Sequence, residues 1–194
     1  MVACEFSGIV REAFVARGHN AMSCDLLPCE IPGYHHQGNV MDVLEDGWEL
    51  MIAHPPCTHL AVSGARWFRG KEKEQGEALA FVRALMDAPI QRICIENPVS
   101  IISTKIRKPD QIIQPWWFGH DASKKTCLWL KNLPLLTPTN ILAGDTKTRR
   151  GNQTASGQNK LPPSKDRWKI RSKTYQGIAD AMAEQWGIEK RGEG

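Results

Sequence analysis

The chain has no apolar run near the roughly 20 residues that a membrane span requires, so no membrane partner is expected. Its opening, Met1-Val2-Ala3-Cys4, has neither the basic stretch nor the long apolar segment of a secretory signal. The expected compartment is therefore the cytoplasm, where thiols stay reduced. Six cysteines (Cys4, Cys24, Cys29, Cys57, Cys94 and Cys127) fall without a paired rhythm. The closest two, Cys24 and Cys29, lack the Cys-x-x-Cys spacing of a zinc knuckle. His35 and His36 are adjacent, so their side chains diverge, and no Cys or Asp stands at ligand spacing from them. No metal is expected. The sequence also lacks an internal repeat, and 194 residues suit one domain over 1–194 better than two.

What is present is a mild positive excess, +4, spread unevenly. Between Thr137 and Lys173 stand Lys147, Arg149, Arg150, Lys160, Lys165, Arg167, Lys169, Arg171 and Lys173, opposed by Asp145 and Asp166. Runs of this kind are more often solvated loops, but they also suit a phosphate-bearing partner. From about 138 to 164 polar residues and glycine replace apolar ones, which predicts a long loop. Trp116-Trp117-Phe118 is expected to pack in a core or interface first, with base stacking as the second reading.

The rest of the chain alternates strand and helix signals. Val2 to Phe6, Ala21 to Cys24, Trp48 to Ala53, Ile90 to Ile95 and Thr126 to Leu130 are short apolar runs that read as strands. Ile9 to Arg17, Glu72 to Asp87 and Ser172 to Trp186 carry helical apolar stripes, and Gly18 closes the first. This alternation predicts an α/β fold with a mainly parallel sheet. Ligands of such sheets bind beyond the carboxyl ends of the strands.

Polar groups gather at those ends. In Cys4-Glu5-Phe6-Ser7-Gly8, a glycine between strand and helix lets the backbone approach a nucleotide, and Asp25 is placed for ribose hydroxyls. Both are also ordinary turn residues. In His54-Pro55-Pro56-Cys57 the prolines exclude helix and central strand, so Cys57 is presented on a rigid loop. A thiolate needs little activation as a nucleophile, though a plain buried cysteine fits the same pattern equally well. Glu96-Asn97-Pro98 ends the neighbouring strand. Behind Ile93-Cys94-Ile95 its carboxyl should be desolvated and its pKa raised, which suits it to hold a proton. A strand-end cysteine and acid on adjacent elements form a coherent site.

The ordered series F-S-G (Phe6 to Gly8), R-G-H (Arg17 to His19), Asp25, P-P-C (Pro55 to Cys57) and E-N-P (Glu96 to Pro98) resembles the cytosine-C5 DNA methyltransferases. Their motifs run F-x-G-x-G, an acid after strand two, P-P-C and E-N-V. The resemblance covers about the first half of the chain and implies a Rossmann-like S-adenosyl-L-methionine (SAM)-dependent fold with helices on both faces. It further implies that Phe6, Ser7, Gly8 and Pro55 line the SAM pocket, that Asp25 holds its ribose, and that Asp42 contacts its adenine. Cys57 would add to C6 of cytosine and Glu96 would contact N3, with Asn97 beside it at the substrate. Near the C-terminus Thr174 and Gly177 would pack back against the SAM site.

Departures accompany the match. Val10 replaces the second motif glycine, His54 stands where glycine is usual, and Pro98 replaces valine. No Q-x-R-x-R follows Glu96; Arg149 and Arg150, or Arg167 with Arg171, are the candidates for its role. A basic loop at about 138–171 stands in place of a target-recognition domain. These proportions resemble compact methyltransferase-like proteins of bacteriophages, and imply a bacterial or phage-infected cell. The expected partner is DNA. Other readings of the same residues are a free pyrimidine nucleotide as substrate, an adenine amino-methyltransferase, and a SAM-fold binding or decoy protein without catalysis.

Overall fold

The computed structural model describes residues 1–187, apart from the side chains of residues 66 and 67. Residues 188–194, the end of the expected domain, lie outside them. The strands are β1 (Val2–Ala3), β2 (Ser23–Asp25), β3 (His35–Gln37), β4 (Leu50–Ala53), β5 (Arg92–Pro98), β6 (Gln111–Ile113) and β7 (Thr126–Lys131). They form one sheet in the order β3-β2-β1-β4-β5-β7-β6. From β3 to β5 all neighbours pair parallel, while β7 runs antiparallel between β5 and β6.

Side chains alternate across the pleat, so the central strands feed two cores. Val2, Ile52, Cys94 and Leu128 face one layer, covered by helices α1 (Ile9–Val15) and α5 (Gln176–Trp186). Ala3, Met51, Ile93, Ile95 and Trp129 face the other, covered by α2 (Glu72–Met86) and the short α3 (Ile102–Lys105). The fold is the α/β arrangement expected, a mostly parallel Rossmann-like sheet with helices on both faces. Trp186 anchors α5: it is buried, and its indole N–H donates to the Pro134 carbonyl at 3.0 Å. Truncating such a residue to alanine costs about 3–5 kcal/mol.

The turn into α1 explains its glycine. Gly8 adopts φ 76°, and a Cβ there would meet Cys29 Sγ and Ile31 Cβ at 3.1 Å. Immediately before it, Glu5 folds its carboxylate onto the first turn: Oε1 accepts from Val10 N at 2.7 Å and Oε2 from Arg11 N at 3.2 Å. Gly18, at φ 81°, then closes the helix as its sequence position suggests.

Several elements differ from expectation. Strand β5 continues through Glu96, Asn97 and Pro98, which pair with Leu128, Cys127 and Thr126. The antiparallel return of β7 extends the ladder over residues that look like a turn. β3, β6, α3 and the short helix α4 (Arg167–Ser172) are additional, each too short to show periodicity. Trp116 and Phe118 are buried and pack rather than stand free for stacking. No described helix is long and apolar enough to cross a membrane.

Candidate active site

A cavity of about 930 Å³ opens beyond the carboxyl ends of β1 and β4, where the strand order reverses. That reversal is the usual ligand position in an open parallel sheet, because the connections leave to opposite faces there. One wall comes from residues 4–7 after β1, 54–57 after β4, and 96–99 at the end of β5. The opposite side is formed by residues 124–125, by 159–162, and by the segment around α4 up to residue 175.

Cys57 is fixed from two directions. Its carbonyl accepts from Leu60 N at 3.0 Å and Ala61 N at 2.9 Å, so it opens a tight turn. Upstream, Asn97 Nδ2 donates to the Pro55 carbonyl at 2.8 Å, which ties the proline loop to β5. Burial raises the Cys57 thiol above its ordinary 9.0, and the Glu96 charge adds to this. Lys124 and Arg171 pull it back down, since a nearby cation favours the thiolate.

Glu96 is held differently from expectation. His54 Nδ1 lies 3.0 Å from Glu96 Oε2, with both side chains 10% exposed. Burial pushes the Glu96 carboxyl up, but the His54 hydrogen bond, the Lys124 charge and the Thr126 hydroxyl outweigh it. The net displacement is below the ordinary 4.5, where desolvation alone predicts a rise. The correction follows from partners that only the fold supplies: Glu96 rests as a carboxylate. Within this wall His54 Nε2 and Asn97 Oδ1 are buried without a protein hydrogen-bond partner.

The structure brings Cys57, Glu96, Asn97, Pro55, Phe6, Ser7 and Arg171 to one cavity. Gly8 shapes the turn behind its wall. Asp25 lies off the wall; its Oδ1 accepts from Leu27 N at 2.9 Å, and burial raises its carboxyl despite that bond. Asp42 is exposed in the helical turn Val40–Asp42, also off the wall. Arg149 is exposed on the loop, and Arg167 donates to the Leu161 carbonyl. Arg150 is 4% exposed, lies 4.5 Å over the Trp116 ring, and donates to the Ala143 carbonyl at 3.0 Å. Its Nε and Nη2 are buried without a hydrogen-bond partner.

Residues that the sequence did not single out also face the cavity. Glu5 caps α1 on its wall, and Lys124 reaches it from the approach to β7. Trp168 on α4 sets its ring 6.0 Å from Phe6. No local pattern marks them, because each depends on elements distant in sequence. Among the described residues no group of three or more His, Cys, Asp or Glu is arranged to hold a metal.

No protein-family model matches the chain. No curated protein matches it either. Among solved structures it is similar to one from E. coli described as a "putative DNA modification methyltransferase encoded within prophage Cp", at 14% identity and a TM-score of 0.45. The overlap covers 72% of this chain and 51% of that one, so the chain spans about half of that structure's length. At this distance the fold assignment rests on the sheet topology itself.

Proposed function

We propose that the chain is a SAM-dependent methyltransferase acting on C5 of cytosine in DNA, with Cys57 as its nucleophile. The observation that carries this reading is the meeting of Cys57 and Glu96 in one cavity at the switch point of the sheet, on a loop and a strand tied together by Asn97. Asn97 also belongs to the substrate side of the reading. The single domain would work with its basic loop in place of a target-recognition domain.

The residues at the β1 end of the cavity fit the cofactor by charge. In dinucleotide folds the first helix offers free N–H groups to a pyrophosphate. Here the Glu5 carboxylate already occupies them, which disfavours a phosphate and suits a cationic ligand. SAM carries a sulfonium and an ammonium, and Glu5, Phe6, Ser7 and Pro55 would hold it. When bound, it supplies an electrophilic methyl group.

The chain's own residues supply the rest. Cys57, as thiolate, forms a bond to C6 of the pyrimidine. Addition pushes electron density toward N3, so the ring must carry a proton there, taken from solvent in exchange for the one the Cys57 thiol gives up to it. A carboxylate at Glu96 stabilises N3-protonated cytosine through two parallel contacts, to N3–H and to the 4-amino group, as carboxylates do with planar cations. C5 of the adduct would take the methyl group, the C5 proton would leave to water, and the Cys57–C6 bond would break to release the thiolate while N3 gives its proton back to solvent. In duplex DNA the base must first leave the stack. Arg171 and the cations around α4 suit the neighbouring phosphates.

The test is methyl transfer from labelled SAM to unmethylated DNA and, in parallel, to free cytidine nucleotides, read as nucleosides by mass spectrometry. 5-Methylcytosine is expected in the DNA pool and absent with Cys57→Ser. Product in the nucleotide pool alone would move the substrate to free pyrimidines, as the cations Lys124 and Lys125 on the cavity wall would permit. SAM binding without product in either pool would leave a binding protein.

A further inference from the structure

We infer that His54 is a positioning residue that makes Glu96 accept the 4-amino edge of cytosine and reject the 4-oxo edge of uracil or thymine. The inference rests on the cytosine reading above and goes beyond it to the origin of base choice.

Base choice at a carboxyl depends on which of its atoms can carry a proton. A neutral carboxyl has one donor and one acceptor and can swap them between its oxygens. It therefore matches the N3 and C4 edge of cytosine and of uracil equally well, by moving its proton. A carboxylate has no donor. It matches the two donors of N3-protonated cytosine and faces the uracil 4-oxo group acceptor to acceptor, which is repulsive. Base discrimination thus depends on keeping Glu96 ionised and on preventing Oε2 from carrying a proton.

His54 does both from one position. Its Nδ1 lies 3.0 Å from Oε2, inside a wall where each side chain is 10% exposed. Nδ1–H donates to the ionised carboxylate, so Oε2 is committed as an acceptor. His54 is itself oriented by the backbone: its N–H donates to the Ala3 carbonyl at 2.9 Å, next to the rigid Pro55-Pro56 pair.

Other charged and polar groups around the pair act in the same or the opposite sense. Lys124 and the Thr126 hydroxyl, from the β7 side, also favour the carboxylate. Asp25, the last residue of β2, also interacts with His54 through its charge. The thiols of Cys57, Cys94 and Cys127 surround Glu96 and feel its charge. The direct hydrogen bond on Oε2 is the one from Nδ1, while the Thr126 hydroxyl donates to the Lys124 carbonyl at 3.1 Å.

The experiment offers labelled SAM with cytosine-containing and uracil-containing DNA strands of otherwise equal sequence, across pH 5 to 9. The products, 5-methylcytosine and thymine, are separated by mass spectrometry. His54→Leu is the test variant and His54→Asn its control, since the Asn Nδ2 can donate where Nδ1 does. His54→Ala serves if the leucine variant does not fold, as judged by circular dichroism.

In His54→Leu the cytosine-to-uracil rate ratio is expected to fall by about tenfold or more, because a site that reads a donor has lost the group that enforces it. The acid limb of kcat/KM should move to higher pH, and His54→Asn should restore both. Equal losses on both bases with an unmoved acid limb would overturn the inference and leave His54 a packing residue. A wild-type protein that methylates neither base would instead overturn the cytosine reading, and the specificity claim would fall with it.

Discussion

On the strand side of the cavity, Pro55, Glu96 and Asn97 are buried, and Glu96 and Asn97 hydrogen-bond back across the wall to His54 and to the Pro55 carbonyl. On the other side, α4 buries none of its residues, and Trp168 and Ile170 stand 53% and 49% exposed. In the proposed reading the wall would hold nucleophile and acid where a displacement of about 1 Å would slow a reaction a hundredfold. The cover carries charge on side chains that can follow a flexible ligand. On that reading chemistry and recognition would be divided between a buried wall and an exposed cover, as is common where loops sit on a scaffold.

The largest effect should come from the wall. Cys57→Ser is expected to reduce methyl transfer to background with an unchanged circular dichroism spectrum, and Glu96→Gln to lower kcat by about 10²-fold or more. A Cys57→Ser variant that retains full activity would remove the distinction between wall and cover altogether.

Charge removal on the cover should act on affinity and leave the fold alone. Replacing the exposed Arg171 and Lys160 with Gln is expected to weaken DNA binding. Taking away one cation that neutralises a phosphate should reduce the slope of log K against log salt by about 0.9. Unfolding free energy should change by less than about 0.5 kcal/mol per substitution, measured by urea titration.

A smaller effect separates the two sides by pH. The Cys57 thiol lies above its ordinary 9.0, through burial first and the Glu96 charge second, so its alkylation by iodoacetamide should speed up as pH rises past neutrality. Glu96→Gln removes a raising charge and should shift that curve to lower pH. Lys124→Met removes a lowering charge from the cavity's far side and should shift it to higher pH. The buried thiols give a matching stability test. Cys4 is pushed to about 12, by burial first, and Cys24 and Cys127 to about 11. A raised folded pKa stabilises below the unfolded value and is lost above it, so the urea midpoint should fall as pH climbs beyond 9.

The last effect is expected at the joint between loop and strand. Asn97→Ala frees the Pro55 carbonyl and should cost about 1 kcal/mol in stability. It should also slow methyl transfer more than that figure suggests, because Cys57 loses its fixed position.

Much of the wall was legible in the sequence. Pro55 and Pro56 announce a rigid loop, the apolar run before Glu96 announces a buried carboxyl, and Gly8 and Gly18 bracket α1 as they stand. The Glu96 titration was not legible. Its direction is set by His54 and Lys124, which meet it through the parallel β4–β5 pairing and the antiparallel return of β7. Arg150 shows the same limit from the other side: a basic run marks it as solvent-facing, and only the fold seats it on Trp116. β3 and β6 were missed because three residues are too few to display a period.

The ladder between β5 and β7 pairs six residues on each strand, from Ile93 opposite Lys131 to Pro98 opposite Thr126. Local opening events spare such central ladders and begin where little is buried. The amides flanking Glu96 should therefore be among the last in the chain to exchange with solvent, and those of α4 among the first. A ligand that enters or leaves would do so by breathing of the C-terminal cover, while the strand carrying the acid keeps its shape. The time the protein spends closed would then be set by a segment that takes no part in bond making.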